Sequence, residues 1–385
     1  MLERRLLPVI TLILVALLVL ITGLWATDRA QTITSGAGVE GVDRSNQQFE
    51  WKLVTTWPKN LPGLGSAGEN FARYVTEMSG GRLKVTVYGA GEIVPAFEVF
   101  DAVSQGVAEV GHGASYYWKG KIPAAVFYTA VPFGMTAQEM NGWLHYGGGL
   151  ELWRELYAPF GVVPFAGGST GVQMAGWFNR ELKTAADLKG LKMRIPGLAG
   201  EVFNASGGTA VRIAGGEVYT SMQTGVIDAV EWVGPYNDRT LGLNQVADYY
   251  YYPGWHEPGA MLEFIVNERA MGQLPEDLKA IVTYATRAAN QDMLDEFTAR
   301  NNESLQSLLA DGTQLRKLPD DVLQVLYDNS KIALEALANS DPIAGKIAAS
   351  YASFATDVRA YHEISERAYL NARDKVLPPV LNTSP

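Results

Sequence analysis

Three short segments place polar side chains inside apolar, strand-like runs, where burial without a partner is costly. In Leu191-Lys192-Met193-Arg194-Ile195-Pro196-Gly197 the arginine falls where a short strand meets a Pro-Gly break. That puts a planar, permanently charged fork at a strand end, a shape suited to a carboxylate; the plainer use is an ion pair with one of the chain's own acids. Gln173 is the lone polar side chain in the run 172–178, and either reaches a ligand or bonds to neighbouring backbone. Glu231-Trp232 closes the apolar run 227–234. A carboxylate at the end of a buried strand needs a cation, and that cation is Arg194, a metal ion, or both. Oxygen donors from Glu231, Gln173 and main-chain carbonyls favour a hard ion, sodium or calcium, over zinc. A fourth segment, Trp255-His256-Glu257, lies between two Pro-Gly breaks behind four consecutive tyrosines. It reads as a cleft wall or as inter-lobe packing.

Other chemistries find less support. Only four histidines occur, at 112, 145, 256 and 362, with no HExxH spacing and no cysteine, so zinc and Cys-His chemistry lack ligands. Glycine runs such as Gly147-Gly148-Gly149 lack the Lys-Ser/Thr that completes a phosphate cradle and read as turns. The pair Glu231 and Glu257 leaves a carboxylate hydrolase as a rival. A net charge of −10 with no basic tract argues against nucleic acid as a partner.

The elements that position these groups follow from the apolar patterning. Arg4 and Arg5 precede an apolar stretch over residues 6–26, which is either a signal peptide or an uncleaved membrane anchor. Residues 27–48, rich in Thr, Ser, Gly and Gln, form a flexible linker. From residue 49 strands at 49–55 and 83–88 flank a helix at 65–78, which predicts an α/β chain. Residues 98–112 align without gaps on 217–231, each reading helix, glycine turn, strand. If the repeat is more than chance, two similar lobes deliver strand ends to one cleft and His112 corresponds to Glu231. Helices are expected over 278–308, 319–339 and 342–374, the last packing on its own lobe or exchanged with a second subunit.

Taken together, the segments YGAGEIVPAFEVFDAV, HGASYYWKGKIPAA, TGVQMAGWFN, LKGLKMRIPG, AVEWVGPYND, YYYYPGWHEPG and ANQDMLDEFTARNN resemble the extracytoplasmic solute receptors (DctP-type) of tripartite ATP-independent periplasmic (TRAP) transporters, in their 2-oxo-acid-binding branch. The resemblance covers roughly residues 49–373. It implies a two-lobed periplasmic-binding-protein-like α/β fold with crossing strands and a long C-terminal helical region. The lobes would comprise 49–171 with 260–300 and 172–259 with 301–340, and residues 341–385 would form an extension that is swapped in a homodimer.

On this resemblance Arg194 clamps the ligand carboxylate, while Gln173, Glu231, the Trp232 carbonyl and Glu257 hold a sodium or calcium ion. Gln173, Tyr116, Tyr117, Asn237 and Trp255 meet the substrate. The implied function is capture of a pyruvate- or lactate-like acid for membrane permease subunits driven by an ion gradient, without enzymatic turnover. A ligand sensor for a membrane signalling protein would use the same site. One departure stands out: Val211-Arg212-Ile213-Ala214-Gly215-Gly216 replaces a more apolar, Pro-containing version. Arg212 is expected at the surface; facing the cleft, it would favour a diacid.

Overall fold

The computed structural model describes residues 16–23 and 47–378. Residues 16–23 are helical and belong to a separate compact unit. The rest of the expected export segment, and most of the expected linker, lie outside the described residues. Among the described residues no helix is long and apolar enough to cross a membrane.

The body contains eleven strands: β1 (Phe49–Thr55), β2 (Leu83–Tyr88), β3 (Val110–Gly113), β4 (Val162–Ser169), β5 (Gly176–Phe178), β6 (Lys192–Arg194), β7 (Thr209–Val211), β8 (Ala229–Val230), β9 (Tyr249–Tyr252), β10 (Met261–Asn267) and β11 (Gln314–Lys317). Its helices are α1 (Leu64–Met78), α2 (Val99–Ser104), α3 (Ala137–Tyr146), α4 (Gly149–Tyr157), α5 (Gly197–Ala205), α6 (Val218–Gln223), α7 (Pro235–Thr240), α8 (Glu268–Gln273), α9 (Glu276–Ala310), α10 (Asp320–Ala338), α11 (Pro342–Ile364) and α12 (Glu366–Val376).

Two sheets organise these elements. The first has the order β2-β1-β3-β10-β4, and the second β11-β9-β5-β8-β6-β7. In the first, β1 runs parallel to β2 and β3, whereas β10 pairs antiparallel with β3 and β4. Parallel strands need covered faces. Accordingly Leu53, Phe71, Val75, Phe264 and Val282 pack together between the first sheet, α1 and α9. Around the second sheet Phe178, Met193, Phe203, Tyr251 and Leu326 do the same with α5 and α10. Each sheet therefore packs a core of its own on one face, a further buried cluster joins Val54 and Ile265 of the first sheet to Trp177 and Tyr250 of the second, and the chain forms two lobes.

The chain passes between the lobes at four places: from β4 to β5, from β9 to β10, along α9 to β11, and from α10 to α11, which packs back on α3 and α4 of the first lobe. With 35 residues, α9 is about 52 Å long and touches β4 and α1 of the first lobe as well as α7 of the second.

The internal repeat has a structural counterpart. α2, Gly106 (φ 76°) and β3 match α6, Gly225 (φ 72°) and β8 in order and turn conformation, and both strands are central in their sheets. His112, in the position equivalent to Glu231, makes its contacts within the first lobe. It is fully buried, lies 2.9 Å from the Gly167 carbonyl, and stacks on Phe264. The expected single helix over 342–374 is two helices. Ser365 leaves the helical region (φ −114°, ψ −102°) while its hydroxyl donates to the Tyr361 carbonyl at 2.9 Å, the competition for backbone that serine offers.

Candidate ligand and cation site

Arg194 is the last residue of β6 and is 1% exposed. Strand pairing sets its neighbours: β6 lies parallel to β8 with Arg194 opposite Val230, and the Glu231 N–H donates to the Arg194 carbonyl at 3.1 Å. The first residue beyond β8 is therefore held beside the arginine. Nη1 donates to the Glu231 carbonyl at 2.9 Å and to Glu231 Oε1, Nη2 to the Tyr117 hydroxyl at 3.4 Å, and Nε to the Ile213 carbonyl at 3.3 Å. The guanidinium also lies over the Trp232 ring, 4.8 Å from its centroid. Burial opposes its charge, but Glu231, with Tyr117, Tyr116 and Glu257 behind it, outweighs that and raises its pKa.

The second oxygen of Glu231 lies 3.1 Å from His256 Nε2. His256 is 1% exposed and belongs to the site, although the sequence marked it only as part of the Trp-His-Glu run. Glu257 and Gln173 come from the two crossing segments, which are laced together. The Gln173 N–H donates to the Glu257 carbonyl at 3.2 Å, and the Gly254 N–H to the Gln173 carbonyl at 3.0 Å. A Cβ at Gly254 would overlap that carbonyl, so the lacing requires glycine there. Gln173 Nε2 donates to Glu257 Oε2 at 2.8 Å and to Thr170 Oγ1 at 3.0 Å. Gln173 was expected inside a strand; it sits ahead of β5, which begins only at Gly176.

These groups can hold a hard cation. Single ligand atoms of Glu231, His256 and Glu257 lie within 4.8 Å of one another. Gln173 Oε1 is buried without a hydrogen-bond partner, an acceptor whose desolvation nothing on the chain offsets. Burial, reinforced by the Glu231 charge, raises the Glu257 pKa well above the usual carboxylate range. A bound cation would reverse that penalty, and the oxygen-rich donor set suits sodium or calcium.

Arg194, Gln173, Glu257, Trp232, Tyr116 and Tyr117 line one cavity of about 20 Å³. Trp57, Leu64, Thr170, Val233 and Leu262 complete its wall, and none of these five was singled out from the sequence. Apolar residues offered no signal that separates a cleft wall from a core. Tyr116 faces Gly197 (φ 69°), where a Cβ would come within 3.1 Å of the ring.

Two expected substrate contacts do not line the cavity. Asn237 donates from Nδ2 to the Pro62 carbonyl at 2.7 Å and accepts from Trp232 Nε1 at 3.3 Å, so it positions the Trp232 segment. Trp255 packs against Phe133 and His256. Asp238, unremarked in the sequence, accepts from the Val233 and Gly234 N–H groups, from Trp177 Nε1 and from the Tyr250 hydroxyl. It pins the loop that follows Glu231 and Trp232, and its burial pushes its pKa up to about 6. Arg212 is at the surface, as expected, and outside the cavity.

A two-lobed α/β body with a charged site between its sheets is the architecture of a solute-binding protein, and residues 53–341 match the family model for bacterial extracellular solute-binding protein, family 7. The chain belongs to that family. It is 43% identical over 350 residues, covering 91% of this chain and 94% of the relative, to a monocarboxylate 2-oxoacid-binding periplasmic protein of Nostoc sp.. Among solved structures, a TRAP periplasmic solute-binding protein from Pseudoalteromonas atlantica T6c with bound sodium and pyruvate matches with a TM-score of 0.82 and 42% identity, covering 84% of this chain and 99% of that one. One from Colwellia psychrerythraea with bound calcium and pyruvate matches with a TM-score of 0.82 and 43% identity, covering 85% and 100%.

Proposed function

We propose that the chain is the extracytoplasmic receptor of a TRAP transporter, taking a small 2-oxo or 2-hydroxy monocarboxylate of pyruvate or lactate size. The observation that carries this reading is the buried Arg194 fork beside the unpartnered Gln173 Oε1 and the Glu257 carboxylate. It is supported by the ligands in the two similar structures and by the name of the Nostoc relative.

Arg194 takes the ligand carboxylate. Gln173 Oε1, the Glu231 and Glu257 carboxylates and the Trp232 carbonyl hold a sodium or calcium ion. When bound, the ion supplies a hard positive charge to the carboxylate and to the oxygen on the adjacent carbon, which is why a plain carboxylate binds less well. Tyr116 and Tyr117 cover the ligand from the first lobe. The moving bodies are residues 49–171 with 260–300 and residues 172–259 with 301–340, and their closed face docks on membrane permease subunits that use an ion gradient.

The site is a receptor and not a catalyst. The family model that the chain matches is that of a solute-binding protein, which supports this reading over a hydrolase built on Glu231 and Glu257. The receptor works in the periplasm, exported by a signal peptide or tethered by its uncleaved N-terminal helix. It is a homodimer through the C-terminal extension: α12 has no buried residue, and Tyr361, Ile364, Tyr369 and Val376 are all exposed.

Thermal unfolding with a panel of organic acids, with and without sodium or calcium, tests the reading through ligand linkage. Stabilisation by pyruvate or lactate that depends on the cation is expected. No stabilisation by any 2-oxo or 2-hydroxy acid with either cation would overturn it, and consumption of the acid would restore the enzyme.

A further inference from the structure

Arg212 follows β7, at the edge of the second sheet, yet its guanidinium engages the first lobe. Nη1 donates to the Tyr117 main-chain carbonyl at 2.9 Å, and the guanidinium carbon sits 4.2 Å from the centroid of the Phe97 ring. Phe97 in turn packs edge-on against Tyr117, with centroids 5.0 Å apart. Tyr117 is thus gripped from the second lobe at two points, by Arg194 at its hydroxyl inside the cavity and by Arg212 at its carbonyl outside. Lys119, two residues further along the first lobe, pairs with Glu201 on α5. That pair is partly exposed and adds little by itself.

We propose that Arg212 is the latch of this receptor, a positioning residue that holds the lobes closed and sets how long the ligand stays without touching it. The proposal rests on the solute-receptor reading for its ligand arm only. A closed cleft releases its ligand when the lobes part, so a contact made only in the closed form shifts the population toward that form. Arg212 suits the role because its fork bonds a carbonyl while its flat face covers an aromatic ring. Its head is occupied on the outer side of Tyr117, which leaves the identity of the acid to the buried site.

The test compares wild type with Arg212→Ala and Arg212→Lys. Stopped-flow tryptophan fluorescence with pyruvate and calcium is expected to show dissociation about tenfold faster in Arg212→Ala, the combined effect of one charged hydrogen bond and one exposed cation–π contact. Arg212→Lys falls in between. Association stays within about twofold, and the preference order among pyruvate, lactate and a four-carbon diacid is unchanged. An unchanged dissociation rate overturns the latch, and so does an altered preference order, which would place Arg212 on the ligand.

A second measurement needs no ligand. The chain has no cysteine, so spin labels on Glu77→Cys in the first lobe and Lys189→Cys in the second report lobe separation directly. Arg212→Ala is expected to shift the ligand-free distances to longer values, and identical distributions overturn the proposal. If wild type binds none of the acids, the receptor reading fails while these distances still judge the latch.

Discussion

The charged cleft and the core of the first lobe treat buried ionisable groups in opposite ways, and Asp238 of the second lobe, held by neutral donors only, behaves as the latter does. In the second lobe Arg194 and Glu231, 1% and 0% exposed, form an ion pair, so opposite charge offsets the cost of leaving water. In the first lobe His112 and Glu263 are equally buried and have no such partner. Burial pushes His112 down to about 4 and Glu263 up to about 8, so both are uncharged at neutral pH. Glu263 accepts from Trp118 Nε1 and from the Tyr157 hydroxyl at 3.0 Å, but neutral donors do not outweigh desolvation. The difference divides the labour of the cleft: the second lobe and the crossing segments read charge, and the first lobe supplies a neutral, aromatic cover.

The severest test of that division is Arg194→Ala. It leaves Glu231 buried without its main counter-charge, which costs about 3–5 kcal/mol of stability, and it removes the clamp for the ligand carboxylate. Calorimetric titration should then detect no acid binding even where the protein is still folded, and Arg194→Lys should restore stability better than affinity. Next comes the cation. Chelation of calcium in sodium-free buffer, or Glu257→Gln, should weaken acid binding by about a hundredfold, an effect of the size seen when groups around a metal site are altered. Acid affinity indifferent to both would mean that Arg194 reads the ligand alone.

Much of this charged half was legible in the sequence, because a charge or amide interrupting an apolar run is a visible anomaly. Arg194, Glu231 and Gln173 were found that way, and the geometry brings all three together with Glu257. The rest was illegible for physical reasons. His256 matters because its imidazole reaches Glu231 across 25 positions of chain, a pairing that local pattern does not encode. Trp57, Leu64 and Leu262 look like any core residue until two sheets are placed face to face. Asn237 and Trp255 were drawn toward the ligand by the motifs around them, whereas their contacts are to Pro62, Trp232, Phe133 and His256. The break at Ser365 failed to show because Ser and His are tolerated in long amphipathic helices, and periodicity continues across it.

The neutral half makes its own prediction, in pH. His112 has a lowered folded pKa, so the unfolded chain binds its proton more readily. Its contribution is intact above about pH 6.5 and is lost as pH falls toward 4, on the order of 3 kcal/mol in all. Glu263 has a raised folded pKa, so the folded state binds the proton more readily. Its contribution is intact below about pH 4.5 and declines as pH rises through 8. Chemical denaturation across pH 4–9 should therefore show Glu263→Gln gaining on wild type as pH rises, with ligand preference unaffected. A flat difference between the two proteins would mean that Glu263 is charged in the fold, and the contrast between the cleft and the first-lobe core would collapse.

The smallest expected effect is also the most discriminating. Among the described residues Tyr117 is the one first-lobe side chain whose polar atom meets Arg194, at a long 3.4 Å. Tyr117→Phe keeps the ring and its packing against Tyr116 and Phe97 and deletes only that hydroxyl. If the first lobe is a cover, acid affinity by calorimetry should fall by about threefold to tenfold, the worth of one modest hydrogen bond, with cation dependence unchanged. A loss approaching that of Arg194→Ala would show that the hydroxyl orients the guanidinium for the carboxylate. Recognition would then be shared between the lobes, and closure itself would be part of reading the ligand.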